Sequence, residues 1–483
     1  MNTLANLQPH ALWHYFDEIT QVPRPSKKEQ QIIAYLQQFA ASNNLSCKTD
    51  KTGNVLISKP ATTGMEHLPS VVLQSHVDMV CEKNASESHD FEKDAIHTCI
   101  EGDWVKAVGT TLGADNGIGV AAQLALLASR DIAHGNIECL FTVDEETGLT
   151  GATALEKGFF ESSTLLNLDT EEEGELCIGC AGGKNTIAAF NYKMVGLPEN
   201  QYCFSVKING LRGGHSGMDI DKRRANANKL LAAYWEQLAL QSNVCLIDID
   251  GGNLSNAIAR EANAVFAVPM SKKELVRVTL NCFIAEMEEK LAGDEPELKI
   301  ALETEKTPEK AIDKKVSDAL LKALLLCPDG VIKMSEAIPG LVETSTNLAS
   351  IKTINDKIVV TTSQRSSVNE EKQKIAEEIA LIFVQAGADV RFTDGYPGWT
   401  PNPNSPVLNK AVEIYEQLFN KKPTVKAVHA GLECGLFLEK YPHLDMLSFG
   451  PTIENPHSPF EQVNIPSVAK FWEFLKRVLS NKC

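Results

Sequence analysis

Apolar and polar positions alternate along the chain with two different periods. Between residues 26 and 43, Ile32, Ile33, Leu36, Phe39 and Ala40 recur at helical spacing and form one stripe. Ser26 and Glu29, three residues apart just before it, have the pattern of a capping box, so a helix is expected over 26–43. Short apolar runs at 54–58, 71–75, 137–143 and 164–168 read as strands, and an Ala/Leu-rich helix is expected over 117–130. Strands alternating with helices predict an α/β fold, a mostly parallel sheet flanked by helices, reaching about residue 185.

The pattern then changes. Strand-like segments at 201–210, 244–252 and 257–269, a helix starting near Asp219, a helix over 271–291 and a strand near 297–303 give the order β-α-β-β-α-β of a ferredoxin-like unit. A similar set recurs from 330 to 393, so the inserted α+β unit is expected to be doubled. After Gly395 the turn-rich YPGWTPNPNSP reads as a linker back to the first domain. The expected organisation is a catalytic domain in two parts, 1–185 and 397–483, split by an insert over 186–396.

Chemistry-bearing residues collect where the expected strands end. VVLQSHVDMV carries His76 and Asp78, which share a face in extended chain, so Asp78 can orient His76. Asp115 stands before a Gly-rich helix start in TLGADNGIG, Glu145 and Glu146 end IECLFTVDEETG, Asp169 ends TLLNLD, and His457 follows the Gly-Pro turn of MLSFGPTIENPHSP. Taken singly, each reads as a helix cap, an ion-pair partner or a surface histidine. Taken together, His76, Asp115, Glu146, Asp169 and His457 have the number and type of donors for two zinc ions at the carboxyl ends of a sheet, with Asp115 as the bridge. Glu145 is left over, beside the metals, as a general base for water.

The segments HVDMV, LGADNGIG, FTVDEETG, NLDTEEEGE and FGPTIENPHSPFE resemble the motifs of the co-catalytic zinc peptidases that include aminoacylases, tripeptidases and carnosinases. Within that family they look most like the bacterial branch that cleaves aminoacyl-histidine dipeptides, and the likeness runs from near residue 1 to near residue 475. The resemblance implies that His76 and Asp169 hold one Zn2+, that Glu146 and His457 hold the other, and that Asp115 bridges them, Co2+ or Mn2+ being compatible with the same donors. It implies a cis peptide after Asp115, Asp78 steering His76, and Glu145 as the base. It implies a lid in which His215 stabilises the oxyanion, Asn256 contacts the substrate and Arg365 binds the substrate carboxylate, with Glu433 of HAGLECG near a substrate terminus. Hydrolysis of dipeptides such as β-alanyl-histidine is the implied activity; the family often dimerises through the lid, and a doubled lid is compatible either with such a homodimer or with a single chain whose second half stands in for a partner's lid. A tripeptidase or N-acyl amino acid deacylase would carry the same metal motifs.

Composition narrows the partners. The 46 basic and 63 acidic residues give a net charge of −17, which argues against nucleic acid and anionic membranes. The longest apolar stretch, near 118–128, is too short to cross a bilayer. The first 23 residues hold no Lys or Arg and no continuous apolar run, so no secretory signal is read, and a cytoplasmic location with reduced thiols is expected for the 12 cysteines. Cys177 and Cys180 form a lone C-x-x-C that reads as structural.

Overall fold

A computed structural model of the chain describes residues 4–480. They form two compact units, one comprising the chain up to Gly179 with Pro401–Ala427 and Leu432 onward, the other Cys180–Thr400 with Val428–Gly431.

The first unit is built on an eight-stranded sheet in the order Ser46–Thr49, Val55–Lys59, Ile137–Thr142, Val71–His76, Thr164–Asn167, Asp445–Ser448, Glu175–Cys180, Thr424–Val428. The four strands from Ile137–Thr142 to Asp445–Ser448 run parallel. Antiparallel strands flank them, so the sheet is parallel at its centre and mixed at its edges. The helix Ala114–Ala128 is buried almost along its full length. The helix His10–Thr20 contributes Leu12, Trp13, Phe16 and Ile19, all fully buried. This parallel arrangement brings the carboxyl ends of the central strands to one side of the sheet, where such folds place their sites.

The expected capping box is not used as one. The helix spans Gln30–Ser42 with Glu29 at its N-cap position and no side-chain cap. Ser26 Oγ instead donates to Asp78 Oδ2 at 2.7 Å, and Glu29 Oε1 accepts from the backbone N–H groups of Lys27 (2.8 Å) and Asp144 (3.0 Å). Both side chains satisfy groups at the strand ends in place of their own helix.

The second unit has a nine-stranded sheet, antiparallel at every recorded pairing, and its topology explains the doubled pattern. Strands Gln201–Asn209, Cys245–Gly251, Ala262–Pro269 and Lys299–Thr304, with helices Ala227–Ala239 and Lys273–Leu291, form one ferredoxin-like half, spatial order 4-1-3-2. The second half has the same order, made from Gly182–Asn191, Val342–Ile354, Lys357–Ser366 and Asp389–Phe392, with helices Lys314–Leu326 and Asn369–Gln385. Its first strand therefore precedes the entire first half. The two halves join where Asp250 and Gly251 pair with Lys352 and Ile351, and the short strand Gly330–Met334 adds beside Val342–Ile354. A single core holds residues of all four helices and both halves of the sheet.

Three expectations are corrected. The insert begins at 180, not 186, and ends at 400, not 396, because Gly182–Asn191 belongs to the second unit's sheet. Residues Val428–Gly431 also join that unit, as Ala181 N–H is shared between Val428 O (3.1 Å) and Ala430 O (2.9 Å). The helix expected near Asp219 starts at Ala227, capped by Asn226, whose side chain accepts from Asn228 N. Asp219 is instead occupied by His215 N–H, Lys222 and Arg224 in the preceding loop. No helix of the described residues is long and apolar enough to cross a membrane.

Gly450, just after the strand Asp445–Ser448, has no room for a side chain, since a Cβ there would lie 1.9 Å from Thr170 O. Gly450→Ala is expected to destabilise the fold by about 1–3 kcal/mol through forced displacement of the Asp169–Thr170 backbone. A lowered denaturant midpoint at unchanged slope is the measurement that checks it.

Candidate metal centre and active site

All five expected ligands come together in the first unit. His76 ends the strand Val71–His76, Asp169 follows Thr164–Asn167, Glu146 follows Ile137–Thr142, Asp115 lies at the start of the buried helix, and His457 stands in the loop after Asp445–Ser448. His76 Nε2 is 3.0 Å from Asp115 Oδ1 and 3.3 Å from Asp169 Oδ1. His457 Nε2 is 3.1 Å from Asp115 Oδ2 and 3.1 Å from Glu146 Oε2. Asp115 thus turns one oxygen to each histidine. The residues fall into two donor groups, His76/Asp115/Asp169 and Asp115/Glu146/His457, that share this carboxylate. Donors bound at about 2.0–2.1 Å around a tetrahedral ion stand about 3.3 Å apart, so the spacing fits metal ligation.

The surroundings favour the same reading. His76 Nδ1 lies 3.1 Å from Asp78 O, and donating a proton there leaves the Nε2 lone pair facing Asp115 and Asp169. Glu146 Oε1 is buried without a hydrogen-bond partner. Burial pushes the Glu145 carboxyl well above its ordinary range; His76 opposes this, and Asp169, Glu433 and Glu146 add to it. Burial, with Asp115 and Asp169, pushes Glu171 up to about 9. So many buried carboxylates against two imidazoles is an arrangement that cations stabilise.

Asp78 does more than face His76. Its Oδ1 accepts from Glu145 N (3.0 Å) and its Oδ2 from Glu146 N (3.3 Å) and Ser26 Oγ. The turn it caps is sharp. Asp144 adopts φ 51°, ψ 48°, and the Thr147 and Thr150 hydroxyls donate to its carboxylate. A residue with a short polar side chain tolerates that left-handed conformation. Two adjacent glutamates are thereby presented from a braced backbone. The peptide between Asp115 and Asn116 is cis, as the sequence resemblance implies.

Glu433, expected near a substrate terminus, is buried, with Oε1 lacking a hydrogen-bond partner. It opens the helix Glu433–Lys440 at 1% exposure, and its Oε2 accepts from Gln74 Nε2 (2.6 Å) and Thr142 Oγ1 (2.8 Å). Those donors belong to the strand that ends in His76 and the strand that leads to Glu145. Burial pushes it up to about 8, against the pull of His76.

His215, Asn256 and Arg365 all lie in the second unit. His215 Nδ1 accepts from Gly217 N (3.2 Å) and Met218 N (3.0 Å), which leaves the ring proton on Nε2. Burial and then the Arg365 charge lower its pKa, so it is a neutral donor. Arg365, 6% exposed, donates to Tyr396 Oη (2.9 Å) and Ser216 Oγ (3.4 Å). Asn256 is exposed, and its carbonyl accepts from Ser216 N at 2.8 Å.

Four further residues were not singled out by sequence. Glu171 lies two residues past Asp169, a same-face spacing that signals it. His429 lies in the second unit, 2.7 Å from Ser345 Oγ and pushed down to about 4 by burial and Arg365, and only its place in the Gly-rich HAGLECG marks it. Arg24 and Glu461 are buried; no local pattern marks Arg24, and only its place at the end of FGPTIENPHSPFE marks Glu461. Cys177 and Cys180 are buried.

Known proteins place the chain in a family. The model of peptidase family M20/M25/M40 matches residues 72–481. The chain is 41% identical over 479 residues to the cytosol non-specific dipeptidase of Escherichia coli (strain K12), covering 99% of each. It superposes on the crystal structure of aminoacylhistidine dipeptidase from Vibrio alginolyticus with a TM-score of 0.93 and 41% identity, over 99% of this chain and 97% of that one. Aminopeptidase PepT from Bacillus cereus shares the fold at 16% identity, with a TM-score of 0.57 over 98% and 99% of the two chains. The chain is a hydrolase and belongs to peptidase family M20/M25/M40.

Proposed function

We propose that the protein is a two-metal dipeptidase whose substrates include Xaa-His dipeptides such as β-alanyl-histidine. The observation that carries the metal reading is Asp115, with one oxygen 3.0 Å from His76 and the other 3.1 Å from His457. His76 and Asp169 would complete one site, and Glu146 and His457 the other. Zn2+ suits this imidazole and carboxylate set, and Co2+ or Mn2+ are compatible with it. Bound there, the ions would supply Lewis acidity toward a carbonyl and lower the pKa of water toward neutrality.

Each protein group has a distinct task. Glu145 takes the proton of the attacking water and delivers it to the leaving amine. It stands outside the two donor sets that share Asp115, next in sequence to Glu146 and close to His76. Asp78 holds the Glu145 and Glu146 amides and the His76 ring, so base and ligands keep one geometry. His215, as a neutral Nε2 donor, suits an oxyanion. Arg365 is a buried guanidinium hydrogen-bonded to two hydroxyls, which suits capture of a free carboxylate. Asn256 is assigned to substrate contact. The Xaa-His preference is supported by the name of the Vibrio alginolyticus relative, an aminoacylhistidine dipeptidase, and β-alanyl-histidine is a member of that substrate class. The assembly we favour is a homodimer through the inserted unit, and the location the cytoplasm, in line with the Escherichia coli relative's name.

Three outcomes test this reading. Purified protein loaded with Zn2+ is expected to release histidine from β-alanyl-histidine and to stop after chelation. Turnover of tripeptides or N-acyl amino acids in its place would assign the chain to one of those activities. Glu145→Gln is expected to keep two ions per chain by elemental analysis while kcat falls by at least about 100-fold, the scale of a lost general base. Loss of an ion from that variant would make Glu145 a ligand. Arg365→Ala is expected to raise KM for a dipeptide about 10-fold or more while leaving KM for its C-terminal amide nearly unchanged. Equal increases for both would remove the carboxylate from its assignment.

A further inference from the structure

The loop that delivers Asp115 is held from both sides by two buried, oppositely charged side chains. Glu461 is 2% exposed and Arg24 is 3% exposed. Glu461 Oε2 accepts from the backbone N–H groups of Leu112 (2.7 Å) and Gly113 (2.8 Å), and Oε1 from Ala114 (2.7 Å) and Asp115 (3.3 Å). Four consecutive amides converge on one carboxylate. On the loop's carbonyl side, Arg24 donates to Gly113 O at 2.5 Å and, through its other terminal nitrogen, to Val77 O (3.0 Å) and Asp78 O (3.2 Å). The fit is close, because Gly113 adopts φ +70° and a Cβ there would lie 2.4 Å from the guanidinium.

These contacts tie together three segments that carry ligands. Arg24 joins the exit of the His76 strand to the Asp115 loop. Glu461 joins the Asp115 loop to the turn that presents His457, four residues upstream. That turn needs an anchor, since Asn455 and His457 both take positive φ (52° and 60°) and the His457 side chain is half exposed. Charge-assisted hydrogen bonds from buried amides are strong and directional, and groups that orient ligands set metal affinity.

We propose that Arg24 and Glu461 are positioning residues that clamp the Asp115 loop and so set the second metal site, formed by Asp115, Glu146 and His457. The inference rests on Asp115 bridging two ions. Glu461 reaches Asp115 through that residue's backbone N–H and the His457 turn through its own N–H to Ser458 O (3.0 Å), and it is not itself a ligand. Replacing it by glutamine keeps size and shape but turns an amide donor toward two N–H groups. The second site then loses its alignment, while His76 and Asp169 keep the first.

The test is a Zn2+ titration of metal-free Glu461→Gln and Arg24→Lys, with the visible spectrum of their Co2+ forms and thermal unfolding of the metal-free proteins. The expected result is one ion bound as in the parent, the other weakened about 10–100-fold, the scale of a lost ligand-orienting partner. A changed Co2+ band should accompany it, with metal-free unfolding within a few degrees of the parent. Parent-like affinity for both ions and an unchanged band would overturn the clamp, even if stability fell. Should Glu461→Gln not fold, Arg24→Lys decides by the same two readouts. Asp115→Ala separates the levels: if it keeps both ions, the bridging reading fails, whereas if it loses them while the clamp variants bind as the parent, only the clamp fails.

Discussion

The shared carboxylate of Asp115 is the constraint on which the active-site end of the first unit depends. Its two oxygens face two imidazoles from segments more than 340 residues apart in the chain, His76 and His457. A carboxylate can serve both only if the strand exit, the helix start and the late loop are all fixed to within a fraction of an ångström. The buried hydrogen bonds around it, from Asp78, Glu29, Arg24 and Glu461, answer that requirement. They take up backbone groups that the sharp turns leave unpaired.

Concentrating acidic groups has a cost that the fold accepts. Glu145, Glu146, Glu171 and Glu433 are all pushed above their ordinary range by burial. Such groups are tolerated where cations or reaction chemistry gain from them, and perturbed carboxylates gathered at strand ends are the signature of a functional site. Glu433 and Asp144 also hold structure together at the strand ends. One carboxylate accepts from two side-chain donors on the central strands, and the other closes a left-handed turn with two threonine hydroxyls.

The inserted unit reaches its doubled form by an order that is not sequential. One ferredoxin-like half is threaded between the first strand and first helix of the other. The two then share a single sheet and a single core. Arg365 lies on a central strand of the second half, and His215 in a loop of the first half. Their proximity, felt in the lowered pKa of His215, is a product of that joining.

Much was legible in the chain itself. Apolar runs ending in His76, Glu146 and Asp169 announced a parallel sheet with chemistry at its carboxyl end, because strand periodicity and buried charge are local signals. The insert was visible for the same reason, as a change from alternating units to a ferredoxin-like order. What the sequence could not assign were relations between distant segments. The strand Gly182–Asn191 belongs to a half that resumes beyond residue 313, and local pattern carries no record of its partner. Ser26 and Glu29 have the spacing of a helix cap, yet their oxygens find donors at the strand ends, where turns left amides unpaired. Arg24 carries no motif, and Glu461, though it ends FGPTIENPHSPFE, has nothing in that segment to say which amides it will meet. Their roles arise only when folding removes water from around the Asp115 loop and leaves its amides and carbonyls to be satisfied by whichever charges the tertiary structure brings there.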